Sequence, residues 1–314
     1  MQSSQSRRKF ITTSGALAST ALIAGCASET KASKAMPSFR YCLNTSTIRE
    51  KNIGIEAEAD VAADAGYSGI EPWIRTLRAY MEAGGKLSDL KKRLDDRGIQ
   101  VESAIGFANW IVDDPAKRSE ALEEAKSDMD ILAQLGGSRI AAPPAGATKG
   151  AVLDLEIVAE RYRALLEVGR ATGVTPMLEV WGHSVNLHRL GQTLFATAES
   201  SHPDACMLLD IYHVFKGGST YDGLSLLGPQ AMPVLHMNDF PATPSRTEMN
   251  DSHRVMPGDG VAPFGTIIKQ LHAVNPNMVF SLELFNRDYW KQDPLKVAQL
   301  GIEKMKTLVA KNLG

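Results

Sequence analysis

Four strand-like stretches in the second half of the chain each end in a residue that can bind a divalent cation. They read Thr175-Pro-Met-Leu-Glu179, Cys206-Met-Leu-Leu-Asp210, Pro233-Val-Leu-His236 and Met278-Val-Phe-Ser-Leu-Glu283. A short apolar run bounded by turn residues is typical of a strand buried on both faces, so an ionisable side chain at its end needs a compensating partner. Glutamate, aspartate and histidine together form an oxygen and nitrogen set that suits Mn, Mg, Co or Zn.

Each of these four side chains, taken singly, also has an ordinary structural explanation. It can cap the helix that follows its strand, or it can pair with an arginine. Their position at the ends of four successive strands favours a shared cation instead. We therefore predict that one divalent metal ion is bound by Glu179, Asp210, His236 and Glu283.

The order of strands and helices predicts the fold. From Phe39 onward, strand-like runs alternate with helical patterns, and several of these helices end at a glycine, as at Gly66 and Gly173. Eight strand-then-helix units predict a single-domain (β/α)8 TIM barrel rather than a doubly wound sheet. No Gly-rich phosphate-binding fingerprint opens a helix, so nucleotide binding has no support. In such a barrel the C-terminal ends of the strands converge on one mouth.

The first 25 residues predict an export signal. Ser6-Arg7-Arg8-Lys9-Phe10-Ile11 resembles a twin-arginine signal, and an apolar run of small residues follows it. This run ends in Ile23-Ala24-Gly25-Cys26, which resembles a lipobox. We expect residues 26–38 to form a flexible tether and residues 39–314 to form the catalytic domain. The protein is then expected to be an exported lipoprotein, periplasmic or anchored to the outer membrane, that contacts the membrane only through a lipid on Cys26.

Composition limits the class of partner. The 34 basic and 36 acidic residues give a net charge of -2, and the basic residues are scattered along the chain. Nothing therefore favours nucleic acid, and the expected substrate is a neutral or weakly charged small molecule. The three cysteines lack the spacing of a metal site or a redox pair, and we expect no disulfide.

The motifs together resemble the xylose isomerase-like TIM barrels, the sugar phosphate isomerase/epimerase superfamily. The resemblance covers nearly all of the chain after the tether, and six segments carry it: Gly66-Tyr-Ser-Gly-Ile-Glu71, Leu178-Glu179, Asp210-Ile-Tyr-His213, His236-Met-Asn-Asp239, Arg254-Val-Met-Pro-Gly258-Asp-Gly260 and Leu282-Glu283. It implies one catalytic divalent metal on the four ligands already named. The superfamily also has an apurinic endonuclease branch, whose additional histidines on strands two and three this sequence lacks, so DNA repair is disfavoured.

The resemblance also implies substrate-binding residues. His213, three residues after the predicted ligand Asp210, is expected to contact substrate beside the metal. Arg254, three residues before Pro-Gly, is expected to hold substrate hydroxyls. The loop before Arg254 is longer than in the family, and His253 competes for the same role.

Two further residues have open interpretations. Glu71, at the end of the second strand, is expected either to bind a substrate hydroxyl or to pair with Arg75. Trp181 either stacks on a sugar face or belongs to the barrel core.

The expected chemistry is abstraction of a proton next to a sugar carbonyl, with a metal-stabilised enediolate as intermediate. The resemblance assigns Glu179 and Glu283 as the acid/base pair, each also a metal ligand. Return of the proton gives an isomerase or epimerase, whereas loss of a leaving group gives a lyase acting on 3-keto-glycosides or keto-polyols. A lipoprotein that binds sugar without turnover is the alternative of another class. A homo-oligomer is compatible with the sequence.

Overall fold

Eight parallel strands and their connecting helices make up residues 39–314, the part of the chain that the computed structural model describes. The predicted export signal, Cys26 and the tether lie outside these residues. The strands are β1 (Arg40–Asn44), β2 (Gly69–Glu71), β3 (Gln100–Val101), β4 (Arg139–Ala142), β5 (Thr175–Glu179), β6 (Met207–Asp210), β7 (Val234–Met237) and β8 (Val279–Leu282).

The strands are arranged as a barrel. Their order in the sheet is β3-β2-β1-β8-β7-β6-β5-β4, and every pair is parallel. Beyond the short β3, isolated bridges join Ile105 to Trp73 on one side and to Ala141 on the other, so the chain after β3 connects the two ends of the sheet. The predicted (β/α)8 fold is confirmed.

Helices cover the outside of the strands. They are α1 (Ile55–Ala65), α2 (Ile74–Glu82), α3 (Leu87–Asp96), α4 (Pro115–Gln134), α5 (Leu155–Thr172), α6 (Leu190–Glu199), α7 (Ile211–Lys216), α8 (Phe264–Val274), α9 (Arg287–Trp290) and α10 (Pro294–Leu313). Gly66 and Gly173 follow α1 and α5 with φ of 89° and 76°, a left-handed conformation that ends a helix and favours glycine. None of the helices within residues 39–314 has the length and apolarity needed to cross a bilayer.

Sequence patterns located most elements but missed some short helices. The short helices α2 and α9 are additional to the eight strand-then-helix units, and α7 begins directly after the apolar run that ends at Asp210. Asp210 is the N-cap of α7, because its side chain accepts a hydrogen bond from the backbone N–H of His213. Apolar residues resume after Asp210, at Ile211 and Val214, so periodicity alone does not show that a helix begins there.

The barrel interior is a layer of apolar side chains supplied by most of the strands. Its buried members are Cys42, Trp73, Ile105, Ala141, Met177, Cys206, Leu208, Val234 and Val279. Because side chains alternate across a strand, the residue two positions further along points into the same interior at the next level. The second apolar cluster lies between the outer face of the strands and the helices.

One buried carboxylate on α1 lies outside this interior. Glu58 is 3% exposed, and its side-chain Oε2 has no hydrogen-bond partner among the described residues. Burial raises the pKa of Glu58 to about 7 from an ordinary 4.5. Between these two values the folded state binds more protons than the unfolded chain, so this group makes stability fall as pH rises.

Substitution Glu58→Gln removes this titration. We expect the free energy of unfolding of the variant, relative to the natural protein, to increase by up to about 3 kcal/mol between about pH 4.5 and about pH 8. Denaturant unfolding at both pH values measures the difference. Glu56→Gln, on the exposed face of the same helix, is the control and should show no such trend. A constant difference for Glu58→Gln would contradict the prediction.

Candidate functional site

A polar layer lies above the apolar interior at the C-terminal ends of the strands. Glu179, Asp210 and His236 each stand two residues after an interior apolar residue on their own strand. The parallel pairing places Asp210 beside His236, and His236 beside Ser281. Strand periodicity and register therefore turn residues that are far apart in sequence toward one point.

Asp210, His236 and Glu283 form the centre of this layer. Each offers one ligand atom, and these atoms all lie within 4.8 Å of one another. His236 Nδ1 is 3.1 Å from Glu283 Oε2 and 3.7 Å from Asp210 Oδ2. Glu179 is not part of this compact group; its carboxylate is buried, faces the cavity above and has no hydrogen-bond partner among residues 39–314.

Glu71 orients His236. Its Oε2 is 3.0 Å from His236 Nε2 and also accepts hydrogen bonds from Asn44 Nδ2 and Ser281 Oγ, at 2.9 Å and 2.6 Å. Because Nε2 is bonded to Glu71, Nδ1 faces the carboxylates of Asp210 and Glu283. Burial opposes charge on this imidazole, yet Glu283 and Glu71 raise the pKa of His236 well above its ordinary value.

Glu71 therefore has neither of the expected partners in the described chain. Its side chain is fully buried and does not line the cavity, and it contacts Asn44, His236 and Ser281 rather than Arg75. Glu71 thereby fixes the orientation of the His236 ring. Such carboxylate–histidine pairs fix the orientation of metal-binding imidazoles in other proteins.

Asn44 is a residue of the site that the sequence analysis missed. Its amide donates to Glu71 and, at 3.1 Å, to Glu283 Oε1, while its Oδ1 accepts from Trp73 Nε1 at 3.0 Å. It stands at the C-terminal end of β1, where the rule applied to β5–β8 would have found it. A neutral amide is a poor metal ligand by itself, so the search for metal ligands at strand ends does not single out Asn44.

Arg254 joins the acidic group to the loop after β7. Its Nη1 donates to Asp210 Oδ2 at 2.7 Å and to Glu283 Oε2 at 2.9 Å. Its Nη2 donates to Asp251 Oδ1 at 2.6 Å and lies 3.0 Å from His213 Nε2. The residue is 1% exposed, so these bonds act in a site with little water. Arg254 holds the pKa of Asp210 well below its usual range despite burial.

His213 lies beside Arg254 in the cavity wall. Burial lowers the pKa of His213 to about 3, and the ring is therefore neutral at neutral pH. The neutral ring accepts the Arg254 N–H at Nε2. Its Nδ1 is buried without a hydrogen-bond partner among the described residues.

The remaining predicted residues differ in position. Trp181 lines the cavity, with its ring 6.1 Å from that of Phe107. His253 does not line it; its Nδ1 accepts a hydrogen bond from the backbone N–H of Asn250 and helps to close a short 3-10 turn. Of the two candidates for the same role, Arg254 is the one inside the site. Asp251, which the sequence analysis did not single out, is also in the wall.

The cavity above the acidic group has a volume of about 700 Å³. Its walls combine aromatic rings with charged groups, and the lining residues are Arg49, Trp73, Ile105, Phe107, Glu179, Trp181, His183, His213, Asn250, Asp251, Ser252, Arg254, Glu283, Phe285, Arg287 and Trp290. Asp210 and His236 are fully buried beneath this surface. A cavity that combines aromatic walls with convergent polar groups is typical of sites for small molecules.

The residues present fit a divalent cation. His236 Nδ1 is a buried nitrogen without a hydrogen bond among the described residues, and it lies against two carboxylates. Four buried carboxylates, those of Glu71, Glu179, Asp210 and Glu283, are accompanied by one fully buried guanidinium. A bound cation would offset this excess of negative charge and would replace any proton on Nδ1.

Asp239 organises the loop that carries Arg254. Its Oδ1 accepts from the backbone N–H groups of Phe240 and Ala262 at 2.8 Å and 2.9 Å. Its Oδ2 accepts from those of Gly258 and Gly260 at 3.0 Å and 2.9 Å. A side chain at Gly260 would collide with the Asp239 carboxylate, so this glycine permits the close approach. The carboxylate therefore closes the loop on itself.

Comparison with known proteins agrees with this architecture. The profile of the family described as xylose isomerase-like TIM barrel matches residues 59–308. The chain belongs to this family. The inosose isomerase of Bacillus velezensis is 24% identical over 279 residues, which cover 87% of this chain and 98% of that protein.

Solved structures of family members share the fold. The IolI protein, solved with a bound zinc atom, is similar with a TM-score of 0.81 at 20% identity, over 88% of this chain and 100% of that one. An L-ribulose 3-epimerase is similar with a TM-score of 0.70 at 17% identity, over 87% and 95% of the two chains.

Substitution Asp239→Asn tests the loop. The variant keeps one acceptor oxygen but turns an NH2 group toward backbone donors, so at least two hydrogen bonds are lost. We expect the free energy of unfolding to fall by about 2 kcal/mol or more. Asp288→Asn, at an exposed carboxylate paired with Lys291, is the control and should leave it nearly unchanged. Equal stability of the two variants in denaturant unfolding would contradict this account.

Proposed function

We propose that the protein is a divalent-metal-dependent sugar isomerase or epimerase. The observation that carries the proposal is the convergence of Asp210, His236 and Glu283 beneath a cavity that Glu179 and Glu283 both line. The inosose isomerase and L-ribulose 3-epimerase relatives support the reaction class, and the zinc atom in the IolI structure supports a metal. The metal would be held by Glu179, Asp210, His236 and Glu283.

The two glutamates would act on different sides of a substrate, and their separation in the sheet supports this. β5, which carries Glu179, is separated in the sheet from β8, which precedes Glu283, by β6 and β7. When bound, a divalent metal supplies an electrophile that makes the C–H beside a sugar carbonyl more acidic. One glutamate then removes this proton, and the other returns a proton to the opposite face or to the neighbouring carbon.

The other residues of the site would bind and orient the sugar. His213 and Arg254 present nitrogen groups beside the acidic cluster, where substrate oxygens would lie. Trp73, Phe107 and Trp181 form an aromatic wall with successive ring centroids 5.2 Å and 6.1 Å apart. Aromatic faces suit the C–H surfaces of a sugar, and this wall would keep water away from the reacting carbon.

A lyase acting on 3-keto-glycosides or keto-polyols is the second candidate. The cavity volume of about 700 Å³ favours it, since one sugar ring would leave room for an aglycone. We also propose that the protein is exported and anchored through Cys26, which rests on the N-terminal sequence alone.

Substitutions Glu179→Gln and Glu283→Gln test the acid/base pair. Each removes a proton acceptor and a metal ligand while keeping the side chain's shape. We expect turnover to fall by at least about 100-fold and bound metal to be lost, with the folded structure retained. Metal analysis and circular dichroism accompany the assay, and Glu156→Gln on the exposed face of α5 is the control. Full turnover in both variants would refute the assignment.

Incubation with a 3-keto-glucoside separates the two reactions. Released aglycone assigns a lyase, whereas stereoisomers or ketose alone assign the isomerase. Sugar binding that a chelator leaves unchanged in calorimetry, with no turnover of any kind, would instead indicate a binding protein.

A further inference from the structure

Arg49 is an arginine in the cavity wall that the proposed reaction does not use. It lies in the 3-10 helix Thr45–Lys51 after β1, and its side chain is partly buried. The guanidinium carbon lies 5.2 Å from the ring centroid of Trp73, 5.1 Å from that of Phe285 and 4.8 Å from that of Trp290. Three aromatic rings therefore hold this cation in place at the cavity surface.

The hydrogen-bonding capacity of Arg49 is unused. Among residues 39–314, no side chain or backbone group accepts a hydrogen bond from its guanidinium, and it makes no ion pair there. A guanidinium is planar and carries its N–H donors at its edge, so contacts with aromatic rings leave the donors available. Aromatic rings also replace water around the ion without supplying an acceptor. Such a group binds an anion more strongly than an exposed arginine does.

Arg254, in contrast, has few unused hydrogen-bond donors. Its Nη1 and Nη2 groups already bind Asp210, Glu283, Asp251 and His213, and only its buried Nε has no partner among the described residues. The same ring, that of Phe285, contacts both guanidinium groups, with a centroid distance of 5.0 Å for Arg254. One arginine is thus neutralised by the acidic cluster, whereas Arg49 remains a positive charge with free donors in the same cavity.

We propose that the substrate carries one anionic group, a carboxylate, that Arg49 binds through its edge donors while the rest of the sugar faces the acidic cluster. The proposal rests on the proposed function, because it names the substrate class for the same site. Arg49 is a partly buried guanidinium of the wall without a partner among residues 39–314, and the exposed Arg287 lines the same cavity. A carboxylate matches the planar edge of the Arg49 guanidinium, which can donate two parallel hydrogen bonds. The substrate class is therefore a sugar acid rather than a neutral sugar.

Calorimetry with matched sugar pairs tests this proposal. The full-length protein, supplied with Mn²⁺, is titrated with a panel of hexuronates, the corresponding neutral hexoses and the hexose 6-phosphates. We expect at least one hexuronate to bind about 10-fold or more tightly than its matched hexose. Arg49→Gln should remove this difference. Arg49→Lys, which keeps the charge but not the planar fork, should retain part of it.

Arg75→Gln is the matched control. The Arg75 guanidinium also contacts Trp73, at 4.3 Å from the ring centroid, but the residue is exposed and does not line the cavity. This variant should bind the hexuronate like the natural protein, and melting temperatures report whether each variant is folded.

Two results would overturn the proposal. One is a panel in which no hexuronate binds more tightly than its neutral counterpart, including a panel in which only a 6-phosphate does. The other is a preference for the acid that survives in the folded Arg49→Gln variant. Calorimetry reports binding whether or not the sugar is turned over, so loss of the isomerase assignment would leave this result readable. A failed anion site would leave the outcome of the Glu179→Gln and Glu283→Gln assays unchanged.

Discussion

The ion pairs of Arg254 with Asp210 and Glu283 join the loop after β7 to the carboxylates at the strand ends. The guanidinium Nη1 lies between these two carboxylates, at 2.7 Å and 2.9 Å, in a place that solvent scarcely reaches. Buried like charges are costly unless cations or donors surround them, and the acidic cluster contains more carboxylates than Arg254 alone can neutralise. This excess of buried carboxylates fits the divalent cation that we propose for the site.

The rest of the barrel holds these groups in place. Strand register brings Asp210 next to His236, and Glu71 fixes the imidazole from below through Nε2. On the other side, Asp239 closes the loop that supplies Arg254 by accepting four backbone N–H groups. These hydrogen bonds restrict the movement of the side chains in the site. They account for the several polar residues that are buried without lining the cavity.

Sequence reasoning predicted what depends on strand periodicity and missed what depends on loops. The fold and the approach of Asp210, His236 and Glu283 follow from the alternation of apolar residues and the convergence of strand ends. Arg49 could not be found in this way, because its contact with Trp290 joins residues at opposite ends of the chain. Glu71 was placed at the correct strand end, but its partner was not predicted, since only the barrel brings β2 opposite β7. The metal-binding role of Glu179 stays a prediction.

Crystallography with anomalous scattering from Mn²⁺ tests the central claim most directly. The account predicts one anomalous peak at the barrel mouth, within bonding distance of His236 Nδ1 and of carboxylate oxygens from Asp210, Glu283 and Glu179, with Arg254 moved from its place between Asp210 and Glu283 or sharing their outer oxygens. A structure grown in saturating Mn²⁺ with no peak there, and with Arg254 still bonded to both carboxylates, would contradict it.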